Sequence, residues 1–590
     1  MVYWSGLQLR YSQVRILYGT LCLKKYCFAL HNTFKCWGLG YTKSPFFLSG
    51  EGNNEIKGEN NMNRFVNDMA NATKYGYTEN GAIKRISTQN YVLDMFAVGG
   101  AYRQRNDHDI ENLFSDAYRE NKDLALKCLF YLRDVRGGQG ERRFFRVAYK
   151  WLVKNDIQNA KRNFNLIPEY GRWDDLIDIA YATAPALNAE FVDLIANQMD
   201  LDAQSKTPSL LAKWMPSENA SNAETKAKAR WIMSLIGVEP RAYRKRLSAI
   251  RQKINILERL MSENRWDEIE FDKIPSVAGM KYRNTFAVKE VTAAQYKAFM
   301  ESKSTKVNAG VLNPVDIADK VINKREGGSD VQREMLQKYW DNLKDYYQGR
   351  EENAIAIVDT SGSMWGQPIA AAVGMGLYVA TKSHGPFANC FLTFSSNPTL
   401  ERISGDNIVD QIKNCSRADW GGSTNVEAAM DLILDTAIKG HYAQSDLPAR
   451  LYIFSDMEFN ACMSGNGGYD AWGYSTRYHS GDYFKTLFEK IEKKFARAGY
   501  KMPKVTFWNL QCRNEKNIPA IGDNFNYISG FSMSQMEAVM SGKTAWDMCL
   551  EVLLGKRYEA VSAEGAAKYA RAKAKAVNSR PFEDKPWAGR

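Results

Sequence analysis

Ile355-Ala-Ile-Val-Asp359-Thr-Ser361-Gly-Ser363-Met364 decides how this chain is read. Four β-prone apolar residues run directly into an Asp-x-Ser-x-Ser cluster. A run that is apolar at every position buries on both faces, as a central parallel strand does. The polar cluster then falls at that strand's carboxyl end, where open α/β sheets bind their ligands. One carboxylate and two hydroxyls converge from a single turn. Mg²⁺ takes octahedral oxygen coordination, keeps several waters and is usually held by one or two carboxylates, so the cluster is a donor set for a small divalent cation.

Two later segments supply further donors. Trp420-Gly-Gly-Ser-Thr424-Asn425 precedes an amphipathic helical pattern (Val426, Ala429, Met430, Ile433, Leu434), which puts Thr424 in a glycine-permitted loop near a helix start. Leu451-Tyr-Ile-Phe-Ser-Asp456 is a second apolar strand ending in an acid. Three separated segments in this order resemble the metal-ion-dependent adhesion site of von Willebrand factor A domains. The resemblance implies that Asp359, Ser361, Ser363 and Thr424 bind Mg²⁺ or another divalent ion such as Mn²⁺, with Asp456 acting directly or through a water. It also implies an open coordination position for an acidic group of a partner. An A domain that keeps the motif but works empty, or as a metal-stabilised scaffold, remains open.

The surrounding sequence, 351–545, fits a doubly wound, Rossmann-like α/β domain. Strand patterns recur at 389–394, 451–454, 505–510 and 525–528, separated by helical patterns such as 483–498, which is the βαβ alternation. A Gly/Tyr/Ser-rich stretch between Asn460 and Ser480 reads as a long loop over the ion site, its aromatics either touching a ligand or covering the sheet edge.

Upstream, residues 62–350 read as all-α. Ile110, Leu113, Phe114 and Ala117 share a helix face, as do Phe144, Phe145, Ala148, Trp151 and Leu152. Many short helices of this kind suggest stacked helix pairs. Two segments punctuate them: Leu132-Arg-Asp-Val-Arg136-Gly-Gly-Gln-Gly-Glu141-Arg142 and Ile167-Pro-Glu-Tyr-Gly171-Arg172-Trp173-Asp174-Asp175-Leu176. Both resemble hallmark segments of the TROVE module of the Ro ribonucleoprotein family and of its prokaryotic and phage relatives, and the order of the two parts is also that family's. The resemblance spans roughly residues 90–545. It implies a HEAT-like ring of helical repeats, closed by the A domain, that binds small structured or misfolded non-coding RNA. In purely local terms the first segment is a helix-ending turn and the second a salt-bridged helix start with an acidic first turn.

Charge is consistent with a polyanionic partner. The chain carries net +12, and helix-like residues 241–259 hold Arg241, Arg244, Lys245, Arg246, Arg251, Lys253 and Arg259 against Glu258 alone. Such a stripe neutralises phosphates and releases counterions. Trp214, Trp231, Tyr243 and Trp266 lie among these cations and either stack on unpaired bases or fill a core. Residues 546–590 read as a C-terminal helix and basic tail, and Ser302 to Gly328 as mobile.

The first 61 residues hold three of the nine cysteines and many aromatics without periodicity, and they lack the marks of a targeting signal. Lys57-Gly-Glu-Asn-Asn-Met62 can be encoded with a purine-rich ribosome-binding sequence just ahead of Met62. Val14-Arg-Ile16 can be encoded as the T-arm sequence of a transfer RNA gene. The expectation is that translation begins at Met62 in a bacterial or phage genome. The later cysteines show no Cys-x-x-Cys spacing, which suits free thiols in a reducing cytoplasm, and no apolar run approaches a membrane span.

Enzyme signatures are weak. Five scattered histidines give no metal-ligand pair, Gly542-Lys543-Thr544 lacks the first glycine of a phosphate-binding loop, and no general base is placed beside Asp359. The sequence therefore predicts a non-catalytic, monomeric, cytoplasmic RNA-binding protein. A protein-interaction scaffold, in which the cation captures a partner carboxylate, is the alternative.

Overall fold

The computed structural model describes residues 75–254, 257–302, 304–393, 398–417, 425–460, 486–513 and 516–564. The upstream start expected at Met62, the loop 460–480 beyond Asn460, and the basic tail from Gly565 lie outside these residues.

A short antiparallel hairpin, β1 (Tyr75–Tyr77) and β2 (Ile83–Arg85), opens the described chain. Helices then dominate as far as residue 341. Asparagine sets several of their starts: the side chains of Asn90, Asn106 and Asn121 accept from Leu93, Asp109 and Leu124 N–H at 2.8, 2.8 and 3.0 Å, satisfying amides that a helix start leaves orphaned. The apolar face expected from the sequence is the buried one, with Phe144, Phe145, Ala148 and Leu152 fully enclosed.

The two punctuating segments lock onto each other. Val135 N–H donates to the Tyr170 carbonyl at 3.0 Å, and the buried Arg133 guanidinium forks onto Asp175 Oδ2 at 2.6 and 2.9 Å. Asp175 Oδ2 also accepts the Arg172 N–H at 3.0 Å, so one carboxylate starts a helix and holds the turn beside it. Gly138 is required here, because a Cβ on it would lie 1.9 Å from the Tyr131 carbonyl oxygen.

After residue 350 a six-stranded sheet forms from β3 (Ala354–Val358), β4 (Cys390–Thr393), β5 (Leu400–Arg402), β6 (Arg450–Ser455), β7 (Lys504–Asn509) and β8 (Phe525–Ser529). The spatial order is β5-β4-β3-β6-β7-β8, with all neighbours parallel except β4 and β5. Counted along the chain this is 3-2-1-4-5-6, a doubly wound order in which direction reverses between β3 and β6. The strands found lie within a residue or two of those expected. Edge strand β5, three residues that are exposed or half-buried, has no apolar run to announce it.

The helical part and the sheet share a core. Helix Tyr91–Val98 packs on β8, and helix Pro314–Ile322 packs on helix Gln367–Lys382, which covers β3. The latter contact needs Gly374, since a Cβ there would meet the Pro314 carbonyl at 2.8 Å. The stretch Ser302 to Gly328, expected to be mobile, contains helix Pro314–Ile322. Pro314 presets the helix start, Asn313 N–H bonds Asp316, and Ile317 and Ala318 are buried against the sheet domain. Residues 545–564 return to the first helices: Arg557 forks onto Asp134 at 2.7 and 2.9 Å, and the Ser562 carbonyl accepts from Asn163 Nδ2 at 2.9 Å.

Candidate functional site

Asp359 and Asp456 are the residues immediately after β3 and β6, the two strands flanking the reversal point of the sheet. Parallel register brings them together: Val358 pairs with Phe454, and Asp359 N–H donates to the Phe454 carbonyl at 3.0 Å. Both strands are buried along their whole length, so the corner is rigid and both acids are almost fully enclosed.

The donors are arrayed tightly. Ser361 N–H bonds Asp359 Oδ1 at 2.9 Å, Ser455 Oγ bonds Asp359 Oδ2, and Ser361 Oγ lies 2.9 Å from Ser363 Oγ. Adjacent ligands of an octahedral Mg²⁺, each about 2.1 Å from the ion, stand about 3 Å apart, so the two hydroxyls already have the spacing of one octahedral edge. Burial pushes the pKa of both carboxyls up, and the Asp456 charge pushes Asp359 further. A buried pair of like-charged acids ringed by hydroxyls is a site that a divalent cation would neutralise, and the donor chemistry fits one. Among the described residues no group of three or more His, Cys, Asp or Glu that could hold a metal ion occurs, and this corner, with two carboxylates and hydroxyls, is not one either. Thr424, the remaining expected ligand, lies outside the described residues.

Arg513 and Ser455 escaped sequence reasoning. Arg513 Nη2 bridges Asp456 (3.1 Å) and Glu79 (2.9 Å), so a residue beyond β7 ties the first hairpin to the corner. Glu79 N–H also bonds the buried Glu458 carboxylate at 2.7 Å. Arg513 carries no local signal. Ser455 has one, since it stands directly before the acid that ends β6.

The basic stripe lies on helix Pro240–Lys253. Its charges are largely committed locally. Arg244 pairs with Glu218, Arg246 with Asp200, and Lys253 donates to the Ala203 carbonyl. Arg251 holds the Ala212 and Met215 carbonyls at 2.7 and 2.8 Å, and burial draws its pKa below the ordinary arginine value. Arg241 and Lys245 are exposed and, among the described residues, without an ion pair. Of the aromatics, Tyr243 is buried with its hydroxyl on the Pro216 carbonyl, Trp231 packs on Phe191 and Tyr181, and Trp266 is buried under Lys289. Trp214 lies half-buried beneath the Arg172 guanidinium. The core reading of these rings holds, because their partners come from neighbouring helices that the sequence did not reveal.

Among the described residues Cys128, Cys390, Cys415 and Cys549 are free and buried, and Cys512 is buried. Among the described residues no helix is long and apolar enough to cross a membrane.

Two family models, both described only as domains of unknown function, match the chain: DUF2828 over 78–186 and 223–346, and DUF7788 over 353–580. The crystal structure of the Deinococcus radiodurans RO (RSR) protein aligns at a TM-score of 0.36 and 15% identity, covering 80% of this chain and 100% of that one. "Uncharacterized protein L728" of Acanthamoeba polyphaga mimivirus is 31% identical over 530 residues, which is 82% of this chain and 88% of the viral protein. The chain belongs to one family with that mimivirus protein.

Proposed function

We propose that this protein is a non-catalytic RNA-binding protein in which stacked helices hold small non-coding RNA and an A-type domain carries a divalent cation, Mg²⁺ or Mn²⁺. The observation that supports it is the convergence of Asp359, Ser361, Ser363 and Asp456 at the reversal point of a 3-2-1-4-5-6 sheet. That sheet follows helices bearing the two segments that resemble the TROVE module. The helices supply the cations for phosphate contact, and the ion corner supplies one open coordination position for an acidic or phosphate oxygen.

The test is to purify the protein from its native host at moderate salt and sequence the nuclease-sensitive nucleic acid it retains. One or a few defined small RNAs support the reading. Clean protein with a stoichiometric protein partner overturns it in favour of the second reading, a scaffold whose cation captures a partner carboxylate. A specific observation favours that second reading. Five of the seven stripe cations, Arg244, Arg246, Arg251, Lys253 and Arg259, already have local partners.

A further inference from the structure

Beside the helix carrying Phe144 and Phe145 lies a cavity of about 640 Å³ that neither the ion corner nor the 240–253 stripe uses. Five cations line it: Arg103, Arg142, Arg143, Arg146 and Lys150. Asp107 and Glu141 are the acids of the same wall.

The placement of these cations runs against helix stability. Four of them stand on helix Arg142–Asn155, two in its first turn, directly after the N-cap Glu141, whose carboxylate accepts the Phe144 N–H. A helix N-terminus bears the positive end of the macrodipole, so acids belong there and arginines do not. Arg142, Arg146 and Lys150 also follow one another at i, i+4 and i+8, where like charges repel. Compensation is partial. Arg146 is neutralised by Asp174, Asp175 and Asp178, and Arg143 by Asp107, while Arg142 stands 3.5 Å from Asp174. Lys150 has no ion pair among the described residues.

Arg103 gives a second, independent sign. Its guanidinium lies on the Phe531 ring, 3.6 Å from the centroid, with Nε 3.5 Å from Glu141 and Nη2 donating to the Gly100 carbonyl at 2.8 Å. Nη1 is buried without a hydrogen-bond partner. A buried donor with no acceptor is costly and uncommon in native structures. Gln367, the first residue of helix Gln367–Lys382, adds a second helix N-terminus at the same wall, and its N-cap, Gly366, offers no side chain to the first-turn amides. Donors and positive charge from three elements face one space that is short of acceptors.

We propose that this cavity binds phosphate groups, with Arg103, Arg143 and Lys150 as the principal ligands. Planar guanidinium forks match phosphate oxygens bidentately. Arg142 and Arg146 are neutralised by Asp174, Asp175 and Asp178, which leaves Lys150 as the cation of the wall with no ion pair among the described residues. The space matches a polyphosphate, a nucleotide or the phosphorylated end of a nucleic-acid strand. The inference rests on neither the cation corner nor the RNA reading.

The experiment uses the full chain without divalent ions and at constant ionic strength. Inorganic pyrophosphate is titrated by calorimetry and by thermal melting, with chloride as the control. Saturable binding and a raised melting temperature are expected. Arg143→Gln and Lys150→Gln should each weaken pyrophosphate by about tenfold, the loss of one charge-assisted hydrogen bond, and Lys150→Gln, which breaks no ion pair, should melt in chloride like the parent. Short RNAs ending in 5′-triphosphate or 5′-hydroxyl identify the source. A preference for the phosphorylated end that Lys150→Gln abolishes assigns the site to strand ends, and pyrophosphate binding without that preference assigns it to free phosphates. Hydroxyl-ended RNA that binds equally well to parent and variants reports on the RNA reading alone. No saturable response to pyrophosphate, or the same affinity in both variants, overturns the proposal.

Discussion

The corner after β3 and β6 and the stripe on helix 240–253 both stand out in the sequence, yet they differ in how their charges are held. In the corner, Asp359, Asp456, Ser361 and Ser455 are buried and Ser363 half-buried, registered by parallel strands and bonded to one another. On the helix the cations are exposed or half-buried, and most reach out to an acid or carbonyl supplied by another helix. A buried strand end fixes its polar residues through local sequence, because register leaves them nowhere else to go. A charged helix face says only that charge is present, since Glu218, Asp200 and the carbonyls of Ala203, Ala212 and Met215 meet it through tertiary packing.

That difference explains what the sequence makes legible. β3, β4, β6, β7 and β8 are legible because each is a short apolar run bounded by polar residues. The convergence of Asp359, Ser361, Ser363 and Asp456 follows once those runs are paired. Arg513 is not legible, because its partner Glu79 lies 434 residues away along the chain. The arginine-lined cavity is hidden for a similar reason. Arg142, Arg143 and Arg146 are neighbours in the chain, but Arg103, Gln367 and Phe531 join them only through folding.

The largest effect should come from breaking a charge held the way the corner holds its own. Asp175→Ala leaves Arg133 buried and unpaired, and removal of one partner from a buried pair costs about 3–5 kcal/mol. Chemical denaturation of the two proteins measures it. A loss under about 1 kcal/mol would show that burial does not separate the two kinds of site. The corner itself is tested by cation. A hundredfold excess of Mg²⁺ over its dissociation constant should stabilise the parent by about 2.7 kcal/mol, and Asp359→Ala should abolish that increment. A variant that keeps the full Mg²⁺ response would move the cation elsewhere.

Arg251→Ala should cost about 1–3 kcal/mol, because two carbonyls lose a charged donor in a partly buried setting, and should leave RNA retention unchanged. If RNA retention falls while stability holds, the stripe is a contact surface after all and the contrast with the corner collapses.

The smallest change in stability, and the sharpest in function, belongs to Arg241 and Lys245. Both are exposed and hold no ion pair among the described residues, so Arg241→Gln with Lys245→Gln should shift stability by no more than about 0.5 kcal/mol. Counterion release gives their functional weight. Every phosphate that the variant no longer neutralises should flatten the slope of log affinity against log salt by about 0.7 for single strands. The paired variants Arg244→Gln and Arg246→Gln act as the internal control, since each arginine already commits its charge to Glu218 or Asp200. A salt slope flattened by the first pair and not the second identifies free charge, rather than total charge, as what the helix offers a polyanion. Equal slopes in all variants would remove helix 240–253 from the RNA surface and leave phosphate recognition to the arginines of helix 142–155.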